Sequence, residues 1–550
     1  MFSNKMLLLV SGFLLCCAFG VQAQNELPDE QVEVIKNFDA RLLDAEMLKI
    51  DPQLPPTDTT TKRQTYNLPN RSITVEYLPP KIRPLAMKRE KLEEMYNGYA
   101  KLGAGLPSSF YGEFGYNILK DKQFDFDIQA KHHSANNKKI DHQRFSDNYG
   151  KVSGTYYFEE GFAVNGRLGY QRDYVYYYGY NFDEAFKDTF LTKDEVQQRF
   201  SIFDIGATIF NGEQTAGDVN YNAGVDFYYM EDNYSAREHG FDLNLNFTKW
   251  FSEKHPLSIK LRTDFNQYRD SISQDLNNFY LQPNFTFHHD YFRVKVGVNL
   301  TSHEDEYRVF PDVEAAVPLL GSRLTLFAGA QGSLQKNTLR TLAAYNPFVS
   351  TYGNIVPENT AYFDYFGGLK GTYRGVEYQG RVGYRQSENM ALFVPNYEEF
   401  MRTIVPYDFN VLYDAVDLFY ISGSLNAPLF KGLSVVGTVT SNVFDPATQE
   451  AAWHLPALTF QGTIKYLTLE NKATIRASCF VESGVSYPTA DGEKEKLNGL
   501  FDISVGAEYQ FLENFGVFVD VYNLANNKRR RWYNYPTFGL NALLGVTARF

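Results

Sequence analysis

Beyond its N-terminal segment, this sequence has no apolar run near the ~20 residues that a membrane-spanning helix needs. Helical spans are therefore excluded for the rest of the chain. Cysteine is equally scarce: Cys16 and Cys17 lie in the N-terminal segment, and only Cys479 lies beyond it. A single cysteine forms no intrachain disulfide, so we expect backbone pairing and packing to hold the fold. The formal net charge of -12 lacks the basic excess typical of nucleic-acid binders, so we predict no nucleic-acid partner.

The N-terminal segment is typical of a secretory signal peptide. Lys5 precedes an apolar stretch from Met6 to Phe19, and Val21-Gln22-Ala23 fits a small-residue cleavage site. We therefore predict a signal peptide over residues 1–23. Processing as a lipoprotein at Cys16 or Cys17 is the alternative.

Residues 24–95 form a polar, proline-rich segment that differs in composition from the rest. Its prolines break a loosely amphipathic stretch and favour an extended path. It has too few apolar residues for a core of its own. We predict a short periplasmic N-terminal arm, which is either a flexible leader, a partial plug inside a larger domain, or a docking segment for a partner protein.

Alternation of apolar and polar residues dominates the sequence from about Tyr96 onward. Phe124, Phe126 and Ile128, for example, alternate with Asp125 and Asp127. A strand has a period of two, so this pattern places one face in an apolar medium and the other in a polar one. The mean hydropathy of -0.37 is compatible with membrane insertion, because alternation hides the apolar half of a transmembrane barrel.

The connections between these segments predict the topology. Short turns are expected at 119–122, 158–161, 210–216, 251–255, 288–290, 319–322, 373–375, 429–432, 467–471 and 511–514. Longer loops are expected between them, for example at 179–198, 336–360, 387–412, 484–499 and 523–538. Ten turns join about 20 strands, and one strand at each end makes about 22. We predict an all-β fold over residues 96–550: a large transmembrane antiparallel up-and-down β-barrel of about 22 strands, with 20 or 18 as alternatives and the N-terminus in the periplasm.

The C-terminal stretch carries a family likeness. It reads FLENFGVFVDVYNLANNK over 511–528 and WYNYPTFGLNALLGVTARF over 532–550. The acidic-aromatic turn, Tyr522-Asn523-Leu524, Tyr535-Pro536 and the final Arg549-Phe550 resemble the closing strands of TonB-dependent outer-membrane receptors, whose barrels also have 22 strands.

This resemblance implies a Gram-negative outer-membrane barrel that takes up a bulky nutrient with energy from TonB. It also implies that Phe550 serves as a terminal assembly signal for the barrel-assembly machinery. VEVIK at 32–36 is similar to a TonB-contact box. The receptors carry a globular plug ahead of the barrel, whereas about 70 residues lie between the predicted signal peptide and strand one here. We therefore expect the conventional plug domain to be absent.

Charged residues of both signs fall on the polar side of the alternation, which we expect to face the lumen. The predicted lumen-facing residues are Asp125, Asp127, Lys131, Lys260, Arg262, Arg293, Lys295, Glu377, Arg381, Arg385, Arg476 and Glu508. They line either a mixed-charge channel or ligand site, or a wet interior whose cross-strand pairs fix the register.

Two aromatic or basic runs fall in predicted outer loops. Tyr174, Tyr176 and Tyr178 belong to a tyrosine-rich run, which either stacks on a ligand or forms an interfacial girdle and packs among loops. Arg529, Arg530, Arg531 and Trp532 form a basic tip, which either contacts anionic lipopolysaccharide and other outer-membrane lipids or is a solvated loop.

No motif indicates catalysis or a cofactor. His132-His133 and His288-His289 are adjacent pairs whose members point to opposite faces of a strand, so neither pair chelates a metal alone. We predict no catalytic residues, no metal and no cofactor, and hence no enzyme. The function hypotheses are transport of a bulky solute across the outer membrane or, alternatively, a non-transporting structural or accessory subunit of an outer-membrane protein complex. A lumen of this size needs an internal obstruction, which the arm, infolded loops or a partner protein would supply.

Overall fold

The computed structural model describes residues 96–120, 123–183, 190–213, 215, 217–303, 306–351, 355–397 and 408–550. The predicted signal peptide, the N-terminal arm and the VEVIK segment lie outside these residues. No helix in the described part of the chain is long and apolar enough to cross a membrane.

The described residues form one closed antiparallel barrel of 22 strands. Its first and last strands pair with each other, with Tyr99 opposite Arg549, so the sheet has no free edge. The predicted fold class and strand number are confirmed. The barrel strands are β1 (Gly98–Leu106), β2 (Ser109–Lys120), β3 (Phe124–Asn136), β4 (Arg144–Tyr157), β5 (Phe162–Tyr176), β6 (Gln197–Asn211), β7 (Val219–Asp232), β8 (Arg237–Phe251), β9 (His255–Arg269), β10 (Ser273–His288), β11 (Arg293–His303), β12 (Glu306–Pro318), β13 (Thr325–Asn337), β14 (Glu358–Tyr373), β15 (Val376–Pro395), β16 (Phe409–Phe430), β17 (Leu433–Pro446), β18 (Leu458–Thr468), β19 (Ala473–Glu482), β22 (Leu500–Gln510), β23 (Phe515–Tyr522) and β26 (Asn541–Arg549).

The remaining elements lie in connections. Two small hairpins pair β20 (Ser486–Pro488) with β21 (Lys494–Lys496) and β24 (Arg530–Trp532) with β25 (Tyr535–Pro536). Helix α1 spans Leu339–Tyr345 between β13 and β14, and a 3-10 turn spans Gly179–Phe182. The Thr338 side chain caps α1 by accepting the backbone N–H of Thr341, as is typical of a helix N-terminus.

The two ends of the barrel have different connections. Every predicted short turn lies between an even-numbered strand and its successor at one end, which we call the turn end. The other end, the loop end, carries the long connections 177–196, 338–357, 396–408, 447–457, 483–499 and 523–540. The predicted loop at 387–412 was too long. β15 continues to Pro395 and β16 begins at Phe409, because these strands pair beyond the expected end of the sheet.

The face of the barrel that carries large apolar side chains is set by strand alternation. Leu168, Ile205, Val225 and Phe241 lie on successive strands and are each about 40% exposed or more. Such a band belongs against lipid. The opposite face of each strand therefore lines the lumen.

Candidate functional site in the lumen

The strand register assigns one set of side chains to the lumen. Following the pairing from β9 around the closed sheet in both directions gives the same alternation on every strand. All the charged residues that the sequence places in the lumen belong to this set: Asp125, Asp127, Lys131, Lys260, Arg262, Arg293, Lys295, Glu377, Arg381, Arg385, Arg476 and Glu508. Their role in binding or conduction stays a prediction.

Many of these charges form ion pairs with other residues of the lumen wall. Asp364 is fully buried and lies 2.7 Å from Arg381 and 3.5 Å from Arg385. The other pairs are Arg262–Asp264, Arg293–Glu314, Lys295–Asp312, Arg476–Asp520 and Arg549–Glu508. Mutual pairing of this kind fixes register and leaves no ring of one sign.

The hairpin of β13 and β14 does not stay in the wall along its whole length. At the loop end, its outward face meets the inner wall of the neighbouring strands. Asn359 of β14 exchanges side-chain amide hydrogen bonds of 2.8 and 2.9 Å with Asn278, a lumen residue of β10. The Asn299 side chain of β11 donates to the carbonyl of Gly332 on β13 across 2.9 Å. The described residues of the segment 332–363 (332–351 and 355–363) therefore lie inside the barrel, and we call them the inserted hairpin.

Two buried carboxylates of the wall also hold the inserted hairpin. The Lys336 ammonium lies 2.6 Å from the carboxylate of Asp264 on β9, which is fully buried and also pairs with Arg262. The buried Glu238 carboxylate of β8 accepts the backbone N–H groups of Leu339 and Arg340, at 2.6 and 3.3 Å. A carboxylate at a helix N-terminus satisfies unpaired N–H groups and interacts favourably with the helix dipole.

An ion pair bridges the strands on either side of the inserted hairpin. Arg308 of β12 lies 2.5 Å from Glu388 of β15, although β13 and β14 separate these strands in the sheet. The ring of Phe310 lies close to the backbone of Gly332, where a Cβ atom would come within 2.6 Å of it. Only a residue without a side chain at position 332 lets the hairpin pass this close to the wall.

A hydrophobic cluster covers the inserted hairpin at the loop end. It joins side chains from loops 177–196, 338–357 and 523–540 with residues of the barrel wall. Tyr535 stacks on Phe348 with ring centres 3.8 Å apart and meets Tyr178 edge-on at 4.9 Å. The Tyr178 hydroxyl donates to the carbonyl of Pro536 across 2.9 Å. Burial raises the pKa of the Tyr178 hydroxyl, which therefore stays neutral.

The predicted outer-loop residues divide between this cluster and the surface. Tyr176, Tyr178 and Trp532 are buried in the cluster, and Tyr174 packs against its edge. Arg531 reaches inward to Glu482 at 3.1 Å and donates to the carbonyl of His454 at 3.0 Å. Arg529 is exposed, whereas Arg530 is half-buried and lies over the ring of Phe182. External contacts of these residues stay a prediction.

His454 is a member of the loop end that the sequence reading missed. It is fully buried, its Nδ1 lies 2.8 Å from the carbonyl of Phe393, and no described residue meets its Nε2. Its ring also packs beside Trp532 and Phe409. Burial lowers the pKa of His454 to about 4, so the ring is neutral at pH 7. The apolar neighbours in Ala451-Ala452-Trp453 were the available signal.

The remaining predicted residues do not assemble into a metal or catalytic site within the described ranges. His132 lies 2.7 Å from Asn148, whereas His133 packs edge-on against Phe145. His288 and His289 lie at the turn end, where the ring of His288 meets that of His255 and the ring of His289 stacks on Phe292. Phe550 closes the barrel seam: its backbone exchanges hydrogen bonds of 2.6 and 3.0 Å with Gly98, and its ring stacks on Tyr116.

Solved structures of outer-membrane receptors have a similar fold. The pyoverdine outer membrane receptor FpvA from Pseudomonas aeruginosa matches with a TM-score of 0.63 at 11% identity, over 84% of this chain and 80% of that chain. The ferric-catecholate import receptor Fiu from E. coli K12 matches at 0.63 and 9% identity, over 83% and 82%. The copper transporter OprC matches at 0.62 and 13% identity, over 83% and 84%.

These comparisons identify the fold and nothing finer. The chain has a 22-strand barrel similar to that of TonB-dependent receptors, and no separate plug domain occurs among the residues that the structure describes. The similarity in fold extends to a copper transporter as well as to receptors of the outer membrane. No protein-family model and no curated protein matches the sequence.

Proposed function

We propose that this protein is an outer-membrane transporter for a bulky solute in which the inserted hairpin is the gate. The observation that carries the proposal is that the obstruction belongs to the barrel's own strands and is joined to the wall by side-chain polar contacts that substitution can remove. Barrels of about 22 strands otherwise have a plugged lumen. If the inserted hairpin moved outward into line with the neighbouring strands, it would open the lumen at the loop end, and the barrel at the turn end would stay folded.

The charged contacts that hold the hairpin suit a gate because they join it to the wall through side chains and not through a strand ladder. Lys336–Asp264 and the Glu238 contact with α1 lie on strands β8 and β9, which are otherwise regularly paired. Transport energised by TonB, and a partner that acts through the N-terminal arm, belong to the same proposal. The exposed Lys528 and Arg529 would face lipopolysaccharide phosphates at the outer surface.

The second candidate is a non-transporting subunit of an outer-membrane complex. The hydrophobic cluster favours it, because opening exposes side chains such as Leu339, Val349 and Tyr535, which are 2% exposed or less. Each fully buried apolar side chain contributes about 1.5–3 kcal/mol, so spontaneous opening would be rare. In this case the barrel displays a rigid loop surface to a partner.

Single-channel conductance in planar bilayers distinguishes the two candidates. The release variant combines Lys336→Ala with Glu238→Gln, and the matched control is Lys295→Ala, which removes a wall ion pair that the hairpin does not touch. We expect small currents from the wild type and the control, and currents at least about tenfold larger from the release variant. A tenfold change corresponds to ~1.4 kcal/mol, well within the effect of losing a buried ion pair.

A locked variant supplies the opposite test. Asn278→Cys with Asn359→Cys, in a Cys479→Ser background, places two thiols where the two amides now meet. Oxidation should suppress the currents of the release variant, and reductant should restore them. A release variant that stays closed while its barrel remains folded contradicts the gate and supports the non-transporting subunit. Large steady currents from the wild type contradict both.

A further inference from the structure

A cavity of about 730 Å³ lies between helix α1 and the inner wall of strands β3 to β7. Its wall side is formed by lumen residues near the loop end, and its other side by Arg340, Ala343, Ala344 and Pro347 of the inserted hairpin. This volume falls in the range of small-molecule sites, which combine apolar walls with a few polar groups.

One part of the cavity is apolar. Phe200, Ile202 and Met230 lie on β6 and β7 and are at most 7% exposed, and Ala343 of α1 continues this surface. These side chains also belong to the hydrophobic cluster, so the cavity is bounded by the underside of that cluster. An occupant with an apolar body would therefore contact both the wall and the hairpin.

The facing part of the cavity carries the carboxylates of Asp147 and Asp173. Asp147 and Asp173 are directly opposite each other on β4 and β5. Like charges in this position are unfavourable unless a cation or proton compensates them. The Asp173 carboxylate accepts a hydrogen bond from Gln171, and among the described residues no lysine or arginine forms an ion pair with either aspartate.

Neither of the two cationic side chains that line the cavity, Lys131 and Arg340, forms an ion pair with Asp147 or Asp173. Arg340 is 2.8 Å from Asp204 and lies over the ring of Tyr228 at 4.4 Å. In the strand register, Lys131 is opposite Glu113 on β2 and Tyr149 on β4. Asp147 is opposite His133, which lies two residues further along β3. A positive charge on a ligand would therefore meet Asp147 and Asp173 rather than a filled ion pair.

We infer that this cavity binds an organic cation with an apolar body, with its ammonium group between Asp147 and Asp173 and its body against Phe200, Ile202 and Met230. The aromatic Phe145 and Tyr149 also border the cavity, and aromatic faces attract such cations. The inference deepens the proposed function, because α1 bounds the cavity and occupancy would bias the position of the inserted hairpin. Binding is nevertheless measurable whether or not the barrel conducts.

Titration calorimetry of the purified full chain in a zwitterionic detergent tests the inference with phenethylammonium as the probe. Phenethyl alcohol, which has a similar body without the charge, and Mg²⁺, which has charge without the body, are the comparison ligands. We expect saturable binding of phenethylammonium, at least about tenfold weaker binding of the alcohol, and no saturable binding of Mg²⁺. Absence of saturable phenethylammonium binding overturns the inference, as does saturable binding of Mg²⁺ or equal affinity for the alcohol.

Charge variants then locate the site. Asp147→Asn with Asp173→Asn should lose at least about tenfold in affinity, whereas Asp125→Asn with Asp127→Asn, on the same face nearer the turn end, should bind as the wild type does. Asp147→Glu with Asp173→Glu keeps both charges and should retain binding, which separates loss of charge from loss of fold. Equal binding by the two asparagine variants contradicts this site even if conductance supports the gate.

Discussion

The two ends of this barrel connect antiparallel strands in different ways, one with short turns and the other with long loops. At the turn end, short turns leave side chains such as Phe430 and Leu469 about 61% exposed. At the loop end, long connections turn inward and bury Tyr535 and His454 almost completely. The strands are alike at both ends, so the difference lies in what the connections contribute. The loop end has a core like that of a soluble domain, whereas the described residues of the turn end form no such core.

This difference predicts unequal responses to removal of an ion pair. Asp264→Asn at the loop end leaves Lys336 without its main partner and should destabilise the barrel by about 3 kcal/mol, since loss of one member of a buried pair is costly. Asp312→Asn near the turn end removes a partly exposed partner of Lys295 and should cost about 0–1 kcal/mol. Urea unfolding in detergent micelles measures both. Equal losses in the free energy of unfolding would show that the ion pair at the loop end contributes no more to stability than the other pair.

Acid should open the loop end and leave the turn end intact. His454 has a pKa of about 4 when buried, against about 6.5 when exposed, so exposed loops bind the extra proton between these values. Stability of the closed loops is complete above pH 6.5 and falls as the pH drops towards 4, by up to about 3 kcal/mol. The combined emission of the buried Trp453, which precedes His454 in the chain, and Trp532, which packs beside it, should shift to longer wavelength over this range in a Trp250→Phe background.

The histidine variants sharpen this test. His454→Gln should flatten the pH dependence of the emission, because its side chain does not titrate. His289→Gln changes an exposed histidine at the turn end and should leave the pH profile as in the wild type. The same acid transition in His454→Gln would assign it to other groups.

The turn end should be sensitive to backbone conformation instead. Gly432 and Gly321 both have positive φ values, of 88° and 60°. A Cβ atom at Gly432 would lie 2.3 Å from the carbonyl oxygen of Leu467, whereas one at Gly321 would meet nothing within 4 Å. We expect Gly432→Ala to cost about 1–3 kcal/mol and Gly321→Ala about 1 kcal/mol. Urea midpoints that fall equally would contradict the role of the Leu467 contact.

The sequence predicts the regular part of this molecule because each barrel strand carries its own evidence. Alternation in β3 or β11 shows which side chains meet lipid, and a short turn such as 158–161 can only join neighbours. The strand number and the shared face of Lys131, Arg262 and Glu508 follow from these local rules. The lengths of β15 and β16 did not follow, because their loop-end halves lose the alternation.

The inserted hairpin was beyond prediction from one sequence. The residues before and after α1 continue a strand-like pattern, and nothing local shows that their outward face meets Asn278 and Asp264 instead of lipid. Gly332 is the one local indication, since glycine in a strand often marks a close approach of another element. Contacts among distant loops, such as Phe348 with Tyr535, likewise have no periodic signature.

The pairing of β1 with β26 has a consequence for the symmetry of the barrel. Because Gly98 and Phe550 bond to each other at the turn end, the sheet is a cycle, and no strand of it is first or last in space. Any turn-end connection occupies a position equivalent to this seam. The inserted hairpin makes one side of this ring of strands different from the rest, because it extends from that side into the lumen. The asymmetry of the barrel in cross-section therefore comes from the segment between β13 and β14, and not from the β1–β26 seam.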